Sequence, residues 1–140
     1  MDEVVLVAAR VLNGLLAGIY VAFLVAVMPA LHHQSDAVFT GVMNRINVVI
    51  VNPAFLALFL GAPLLAVGHL RWEAGALGWV AAGTALAALV ITFAANVPLN
   101  DALADGGSRA EFEAPWLVWH CVRTAATLTA FAVLCRPGYG

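Results

Sequence analysis

The stretch WLVWHCVRT, residues 116–124, holds the side chains best suited to chemistry in this sequence. Trp116, Trp119, His120 and Arg123 follow one another at helical spacing, so a helix presents them on one face. An imidazole can remove a proton, a guanidinium can stabilise an oxyanion, and indole rings can flank a flat ligand. Because ionisable groups are costly inside a membrane, this face is predicted to line a polar pocket in a bundle of helices.

Three asparagines are predicted at the same end of the molecule as that stretch. Asn47 lies near the start of the second apolar run, and Asn96 and Asn100 lie at the end of the third. In a bundle of alternating helices these positions meet the start of the fourth run. We therefore expect polar side chains from three helices to converge.

Each of these residues also has a plainer interpretation. Asparagines in membrane helices often serve only as hydrogen bonds between helices, worth about 0.6 kcal/mol each. Trp116 and Trp119 could be interfacial anchors, and Arg123 could extend to the lipid headgroups. His120 could be a hydrogen-bonded structural histidine. The convergence of three helices at one end is what favours a site.

The composition predicts the elements that position this pocket. Of 140 residues, 64% are hydrophobic and 10% are charged, and the mean hydropathy is +0.97, far from the soluble norm of roughly 45–50% apolar residues. Helices of about 20 apolar residues cross a bilayer with their backbones satisfied. We predict an all-α transmembrane four-helix bundle, up-down-up-down, as one domain over residues 1–140, with spans at about 5–30, 45–68, 74–97 and 114–135.

Charge and small residues bear on location and partners. A net charge of −2 with six basic residues leaves no basic tract for nucleic acid. The arginines discriminate only faintly between the two sides, and we expect an integral, multi-pass protein of the cell membrane with both termini in the cytoplasm. Gly14 and Gly18 form a GxxxG pattern typical of helix packing, which also fits association of the chain with a second copy.

A metal site is an alternative use of the histidines. His32, His33, Asp36 and His120 are predicted near the same membrane face and could gather around a transition metal. Adjacent histidines point in different directions, however, and neither an HxxxH nor an ExxH spacing occurs. We therefore expect no metal at these residues.

Several stretches together resemble the anthrone-oxygenase-like family of small four-span membrane proteins. They are VAFLVAVMPAL, MNRINVVIVNPAFLALFLGAPLLA, NVPLNDAL and WLVWHCVRT, and they run through nearly the whole chain. The resemblance implies a four-helix membrane fold and, for a few fungal and bacterial members, oxidation of an anthrone to an anthraquinone by molecular oxygen with no known cofactor. The matching positions are Asn47, Asn96, Pro98, Asn100, Trp116, Trp119 and Arg123. His120 departs from the pattern, because asparagine usually follows the second tryptophan.

The leading hypothesis is a cofactor-independent oxygenase that acts on anthrone-like or other enolisable aromatic substrates, with molecular oxygen as co-substrate. His120 is then the candidate base, Arg123, Asn96 and Asn100 are donors to the enolate oxygen, and the two tryptophans enclose the rings, with Asn47 also contacting the substrate. The alternative is a non-catalytic membrane protein that binds a hydrophobic or aromatic small molecule, or one whose polar cluster is structural. An open pocket and an Arg123 without a carboxylate would favour ligand chemistry; an ion pair from Arg123 to Asp101 or Glu113 would favour a structural clamp.

Overall fold

Helices form nearly the whole chain from Asp2 to Leu134, which confirms the all-α class. The computed structural model describes residues 2–138. In chain order the elements are α1 (Asp2–Ala22), the π-helical turn π1 (Phe23–Val27), α2 (Met28–His32), α3 (Asp36–Ile50), α4 (Pro53–His69), α5 (Ala76–Ile91), the π-helical turn π2 (Thr92–Asn96), α6 (Val97–Ala104) and α7 (Arg109–Leu134).

Three of the long helices are continuous and apolar enough to cross a membrane. They are Asp2–His32, Ala76–Ala104 and Arg109–Leu134. A fourth span is obtained only if the bent pair of α3 and α4 counts as one. The helical architecture is therefore compatible with a multi-pass membrane protein. The alternating order of the spans, the side on which the termini lie and the single domain stay predictions.

The second span, predicted over residues 45–68 with prolines that kink or open it, is divided at the first of them, Pro53. The chain bends by 73° between α3 and α4. Pro53 supplies no backbone N–H and disfavours helical geometry at the residue before it, and Asn52 is extended, with φ −125° and ψ 160°. The Asn52 side chain then caps α4 by accepting a hydrogen bond from the Phe55 N–H at 3.0 Å. One helix therefore ends and another begins within the predicted span.

Close helix packing accounts for the small residues of the chain. Helices α1 and α5 each pack against both α4 and α7. The alanine-rich α5 contributes a row of buried residues to this core: Ala81, Ala82, Ala85 and Ala88. Gly14 lies so close to Phe131 that an added Cβ would be 2.8 Å from its ring, whereas Gly18 has open space beside it. Only the first glycine of the GxxxG pattern is therefore used within the chain.

The two π-helical turns occur at matching places. Each ends two residues before a proline, π1 before Pro29 and π2 before Pro98. Because proline cannot donate the usual helical hydrogen bond and crowds the preceding turn, a widened turn there accommodates the ring. In π1 the Met28 N–H accordingly bonds to the Phe23 carbonyl, five residues back.

The helices α3 and α7, which come after these turns in the chain, begin alike. Ser35 caps α3 and Ser108 caps α7, each by accepting a hydrogen bond from a backbone N–H of the first turn. Phe39 and Phe112, four residues after each cap, are buried and meet edge to face with ring centroids 6.0 Å apart. The starts of α3 and α7 therefore lie together in one apolar core.

Arg109 fastens the start of α7 to the loop before α3. Its guanidinium donates to the backbone carbonyls of Gln34 at 2.8 Å and His32 at 2.7 Å, and to the Glu113 carboxylate at 2.7 Å. It also lies over the Phe39 ring, 4.4 Å from the centroid. Glu113 is thus committed to Arg109 and to the His32 ring, which it meets at 2.7 Å.

Candidate functional site

Three residues of α7 form the centre of the candidate site. Trp116, His120 and Arg123 are at most 8% exposed. The Trp116 and His120 rings are stacked, with centroids 4.6 Å apart and planes inclined by 15°. The Arg123 guanidinium lies 5.4 Å from the Trp116 ring and 4.6 Å from the Tyr20 ring. The cation is therefore held between two aromatic faces, which attract it electrostatically.

Both ring nitrogens of His120 have protein partners. Nε2 lies 2.9 Å from the Tyr20 carbonyl oxygen, which can only accept, so Nε2 carries the proton. Nδ1 is consequently the unprotonated nitrogen, and it accepts from Arg123 Nε at 3.0 Å and Nη2 at 2.8 Å. The histidine thus uses its lone pair to hold the guanidinium. A role as general base, which the sequence predicted, would require this lone pair to release the guanidinium first.

The remaining contact of Arg123 is with a hydroxyl. Nη1 donates to Thr92 Oγ1 at 3.0 Å, and that hydroxyl donates in turn to the Ala88 carbonyl at 2.9 Å. Among residues 2–138 no aspartate or glutamate forms an ion pair with Arg123. The Glu113 clamp considered from the sequence is therefore not made, and the cation has only neutral neighbours.

The π-helical turns supply the partners of this cluster. The Tyr20 carbonyl lies just before π1, and the Phe23 ring within π1 packs 5.8 Å from His120 and 6.2 Å from Trp116. Thr92 opens π2 and receives Arg123. Single π-helical turns inside α-helices are frequent at functional sites. Here two of them flank the same face of α7.

A cavity of about 320 Å³ adjoins the cluster. That volume is at the lower end of the range for small-molecule sites, roughly 300–1,000 Å³. Its apolar lining consists of Ile19, Phe23, Ile46, Ile50, Val51, Phe55, Leu56, Phe59, Phe93 and Val97. Its polar and aromatic lining consists of Tyr20, Asn47, Thr92, Asn100, Trp116, His120 and Arg123. None of these described residues carries a carboxylate.

The three predicted asparagines are divided between the cavity and the helix packing. Asn100 lines the cavity and accepts the Trp116 indole N–H at 2.9 Å. Because an indole only donates, the amide oxygen of Asn100 is used and its NH₂ group remains for a ligand. Asn47 also lines the cavity, and its Nδ2 is buried without a hydrogen-bond partner among the described residues. Asn96 instead donates to the Trp116 carbonyl at 3.2 Å, outside the cavity lining.

The family model for anthrone oxygenase matches residues 39–133, most of the chain. The chain belongs to the anthrone oxygenase family. The matched stretch contains all seven predicted site residues, whereas Tyr20 lies before it. The searches of curated proteins and of solved structures gave no match. The family and the membrane-compatible helices together indicate an oxygenase-like membrane protein.

Trp119 does not take part in the cavity of this anthrone oxygenase family member. Its side chain is 43% exposed and absent from the lining, which differs from its predicted role as a second aromatic wall. Successive helical residues are rotated by about 100°, so Trp119 lies about 60° to one side of Trp116 and His120 about 40° to the other. The cavity adjoins the His120 side. Exposure of Trp119 agrees with the alternative of an interfacial anchor.

The π2 turn explains why Asn96 leaves the cavity while Thr92 and Asn100 remain. A regular α-helix places residues at i, i+4 and i+8 on one face. The wider turn over Thr92–Asn96 adds a residue to that stretch and rotates the helix beyond it. The hydrogen bond of Asn96 to α7 agrees with the plainer interpretation of this residue, an interhelical hydrogen bond.

Tyr20 and Thr92 hold the site together but were not among the predicted site residues of this family member. Tyr20 offers its carbonyl to His120 and its ring to Arg123, and it is only 3% exposed. Its rarity was a usable signal, because the sequence contains only two tyrosines and this one lies within an apolar run. The helical spacing of Thr92, Asn96 and Asn100 already predicted one polar face for these three residues, but Thr92 was not assigned a role in the site.

The four residues considered for a transition metal are not gathered. Among the described residues no group of three or more histidine, cysteine, aspartate or glutamate side chains is placed to hold a metal ion. His120 is occupied by Tyr20 and Arg123, while His32 contacts Glu113.

Proposed function

We propose that the protein is an integral membrane enzyme of the cell membrane that oxidises an anthrone-like or other enolisable aromatic ketone with molecular oxygen and without a cofactor. The observation that supports this most strongly is the state of Arg123. Its cation lies in the wall of an apolar cavity and has no carboxylate partner among residues 2–138. A buried cation with only neutral neighbours favours a ligand that carries or develops negative charge.

The reaction begins with loss of a proton from the activated methylene of the ketone, which leaves a delocalised enolate. The enolate passes an electron to molecular oxygen, and the two radicals combine into a hydroperoxide at the former methylene carbon. Loss of the second C–H proton and of hydroxide from the peroxide gives the new carbonyl. One ketone and one O₂ thus yield one quinone and one water.

Arg123 would bind the ketone oxygen and stabilise the charge that develops there. The hydrogen-bond donors of the cavity wall support this role. The guanidinium, the Asn100 NH₂ group and the unpaired Asn47 Nδ2 can all donate to an oxygen atom of the ligand. Removing one such donor from an oxyanion site typically costs about 10²–10³ in kcat. The cavity therefore acts by making the enolate easier to form, and the proton leaves to water.

His120 would be a positioning residue rather than the base. Its Nδ1 fixes two N–H groups of Arg123, and the Tyr20 carbonyl fixes the tautomer that makes this possible. Trp116 would support one side of the ligand, since its ring is in the cavity wall and is itself anchored by Asn100. The substrate is accordingly a flat, hydrophobic molecule with at least one acceptor oxygen.

A second function is favoured by the hydrogen bonding itself. His120, Arg123 and Thr92 satisfy one another without a ligand, and Asn13 and Asn96 make interhelical hydrogen bonds. Such a network suits a non-catalytic membrane protein, whether its polar cluster is structural or it binds an aromatic small molecule in the adjoining cavity. The open space beside Gly18 would serve close contact with a second copy in either case.

Oxygen uptake by purified protein in detergent tests the proposal. With an anthrone as substrate, we expect uptake above the spontaneous rate, one O₂ consumed per anthraquinone formed, and no loss of rate with a chelator. The Arg123→Gln variant should oxidise the anthrone about 10²–10³-fold more slowly than the parent. Arg71→Ala is the matched control, because Arg71 lies near Trp72 in the connection after α4, outside the cavity lining.

The outcomes separate the two candidates. Binding of the anthrone without uptake above background would support the binding protein and reject the oxygenase. Equal rates for the parent and Arg123→Gln would contradict the assignment of the cation. A rate abolished by chelator would contradict the cofactor-free mechanism.

A further inference from the structure

We propose that the substrate enters the cavity sideways, from the hydrocarbon of the bilayer, through an opening between the α3–α4 bend and π2. This inference rests on the proposed function, because it concerns the route to the same site. The route describes how a ligand reaches and leaves the cavity, whether or not the bound ligand reacts.

The exposed members of the cavity lining mark its mouth. Val51 is 64% exposed, Phe93 56% and Leu56 38%, whereas His120 and Trp116 on the opposite wall are at most 2% exposed. Val51 lies at the bend, Leu56 in the first turn of α4 and Phe93 in π2. The opening is therefore framed by three large apolar side chains, and the polar groups lie at its inner end.

The rim lies in parts of the chain that carry no charge. Val51 and Leu56 belong to the charge-free run 46–68, and Phe93 belongs to the run 74–100. Phe93 is eight residues from Asp101, about 12 Å along a helix at 1.5 Å per residue. Exposed valine, leucine and phenylalanine within charge-free runs suit contact with acyl chains. The rim is thus suited to lipid.

Asn52 makes a helix break compatible with such surroundings. A break in lipid normally leaves backbone groups without partners, at several kcal/mol each. Asn52 Nδ2 donates to the carbonyls of Val49 at 3.0 Å and Ile50 at 3.3 Å, while its Oδ1 accepts from the Phe55 N–H at 3.0 Å. One side chain thereby satisfies backbone groups on both sides of the gap. Water is therefore not needed to satisfy these backbone groups at the break.

The order of the lining specifies which molecules can enter. A ligand must pass the apolar rim before its oxygen reaches Arg123, so the oxygen-bearing edge goes in first and the opposite edge stays near the acyl chains. The substrate class is therefore a membrane-soluble aromatic ketone whose trailing edge is apolar. Sulfonated or glycosylated relatives, which partition out of the bilayer, should reach the cavity much more slowly.

Binding kinetics in lipid vesicles test this route. Anthraquinone serves as the probe, because it resembles the substrate but cannot be oxidised at a methylene, and binding is followed by stopped-flow quenching of tryptophan fluorescence. Val51→Phe should narrow the mouth and slow association and dissociation together by about tenfold. Phe93→Ala should accelerate both. Val90→Phe is the matched control, since Val90 is 61% exposed nearby and absent from the lining.

Several results would overturn the proposal. Unchanged rates in Val51→Phe, or an equal change in Val90→Phe, would mean that the ligand enters elsewhere. Anthraquinone-2-sulfonate should associate at least about tenfold more slowly than anthraquinone, and equal rates would indicate entry from water. Absence of quenching in the parent would reject the site and the route together. Oxygen uptake is measured separately, so altered rates without uptake would retain the route and reject the oxygenase.

Discussion

Replacing His120 in two ways distinguishes a positioning residue from a base. The amide oxygen of asparagine can take about the place of His120 Nδ1, so His120→Asn should keep the acceptor for Arg123 and lose only the hydrogen bond to the Tyr20 carbonyl. His120→Leu should lose both, because leucine has no polar atom. If His120 were the catalytic base, both variants would remove it, and their rates would fall equally.

The structure gives a magnitude for each variant. A neutral hydrogen bond contributes about 0.5–1.5 kcal/mol, so His120→Asn should lower kcat/KM by about two- to thirteenfold at most. The two Arg123 N–H groups share one Nδ1 lone pair, and a hydrogen bond to a charged group contributes about 1.5–3 kcal/mol. His120→Leu loses this hydrogen bond as well as the one to the Tyr20 carbonyl, so kcat/KM should fall by about 30- to 2,000-fold.

The assay is oxygen uptake with an anthrone in detergent, with circular dichroism to verify that each variant is helical. Retained activity in His120→Asn beside a large loss in His120→Leu is the expected result. Equal losses of about 10²–10⁴ in both would be the signature of general-base catalysis. That result would refute the assignment drawn from the occupied lone pair.

Further predictions concern the cavity wall and the end of the bundle. Asn47→Leu should raise the free energy of unfolding by about 1–3 kcal/mol, because Nδ2 is buried without a partner among the described residues. The same variant should bind anthraquinone more weakly, and an affinity equal to that of the parent would contradict the contact of Asn47 with the ligand. Trp116→Ala should weaken binding measured by equilibrium dialysis, whereas Trp119→Ala, outside the lining, should leave it within about twofold. Arg109→Ala should lower the thermal unfolding midpoint without changing anthraquinone affinity, because Arg109 fastens the loop before α3 and is absent from the cavity lining.

The helical class and most of the polar cluster could be predicted from the sequence. Charge-free runs indicate membrane helices by length alone, and helical spacing correctly brought Trp116, His120 and Arg123 to one face. Asn47 and Asn100 also reached the cavity as expected from their places in the runs.

The features that could not be predicted depend on local departures from regular helix and on contacts between helices. A π-helical turn changes which residues share a face, and its presence depends on packing around a proline as well as on the proline itself. For this reason Asn96 lies outside the cavity that the regular spacing predicted for it. Trp119 lies outside the cavity because it is at the margin of the face of α7 that carries Trp116 and His120. The occupied lone pair of His120 requires the Tyr20 carbonyl, which belongs to another helix.

The two halves of the chain share a π-helical turn followed by a serine-capped helix. Counted from Ser35 and Ser108, Asn47 and His120 are both the twelfth residue onward, and both line the cavity. Equivalent positions of the two halves therefore present an amide and an imidazole to the same cavity. Three residues further on, the second half has the cation Arg123 where the first half has Ile50. A cavity built from two similar halves is thus chemically one-sided, and this asymmetry gives a bound ketone a single preferred orientation.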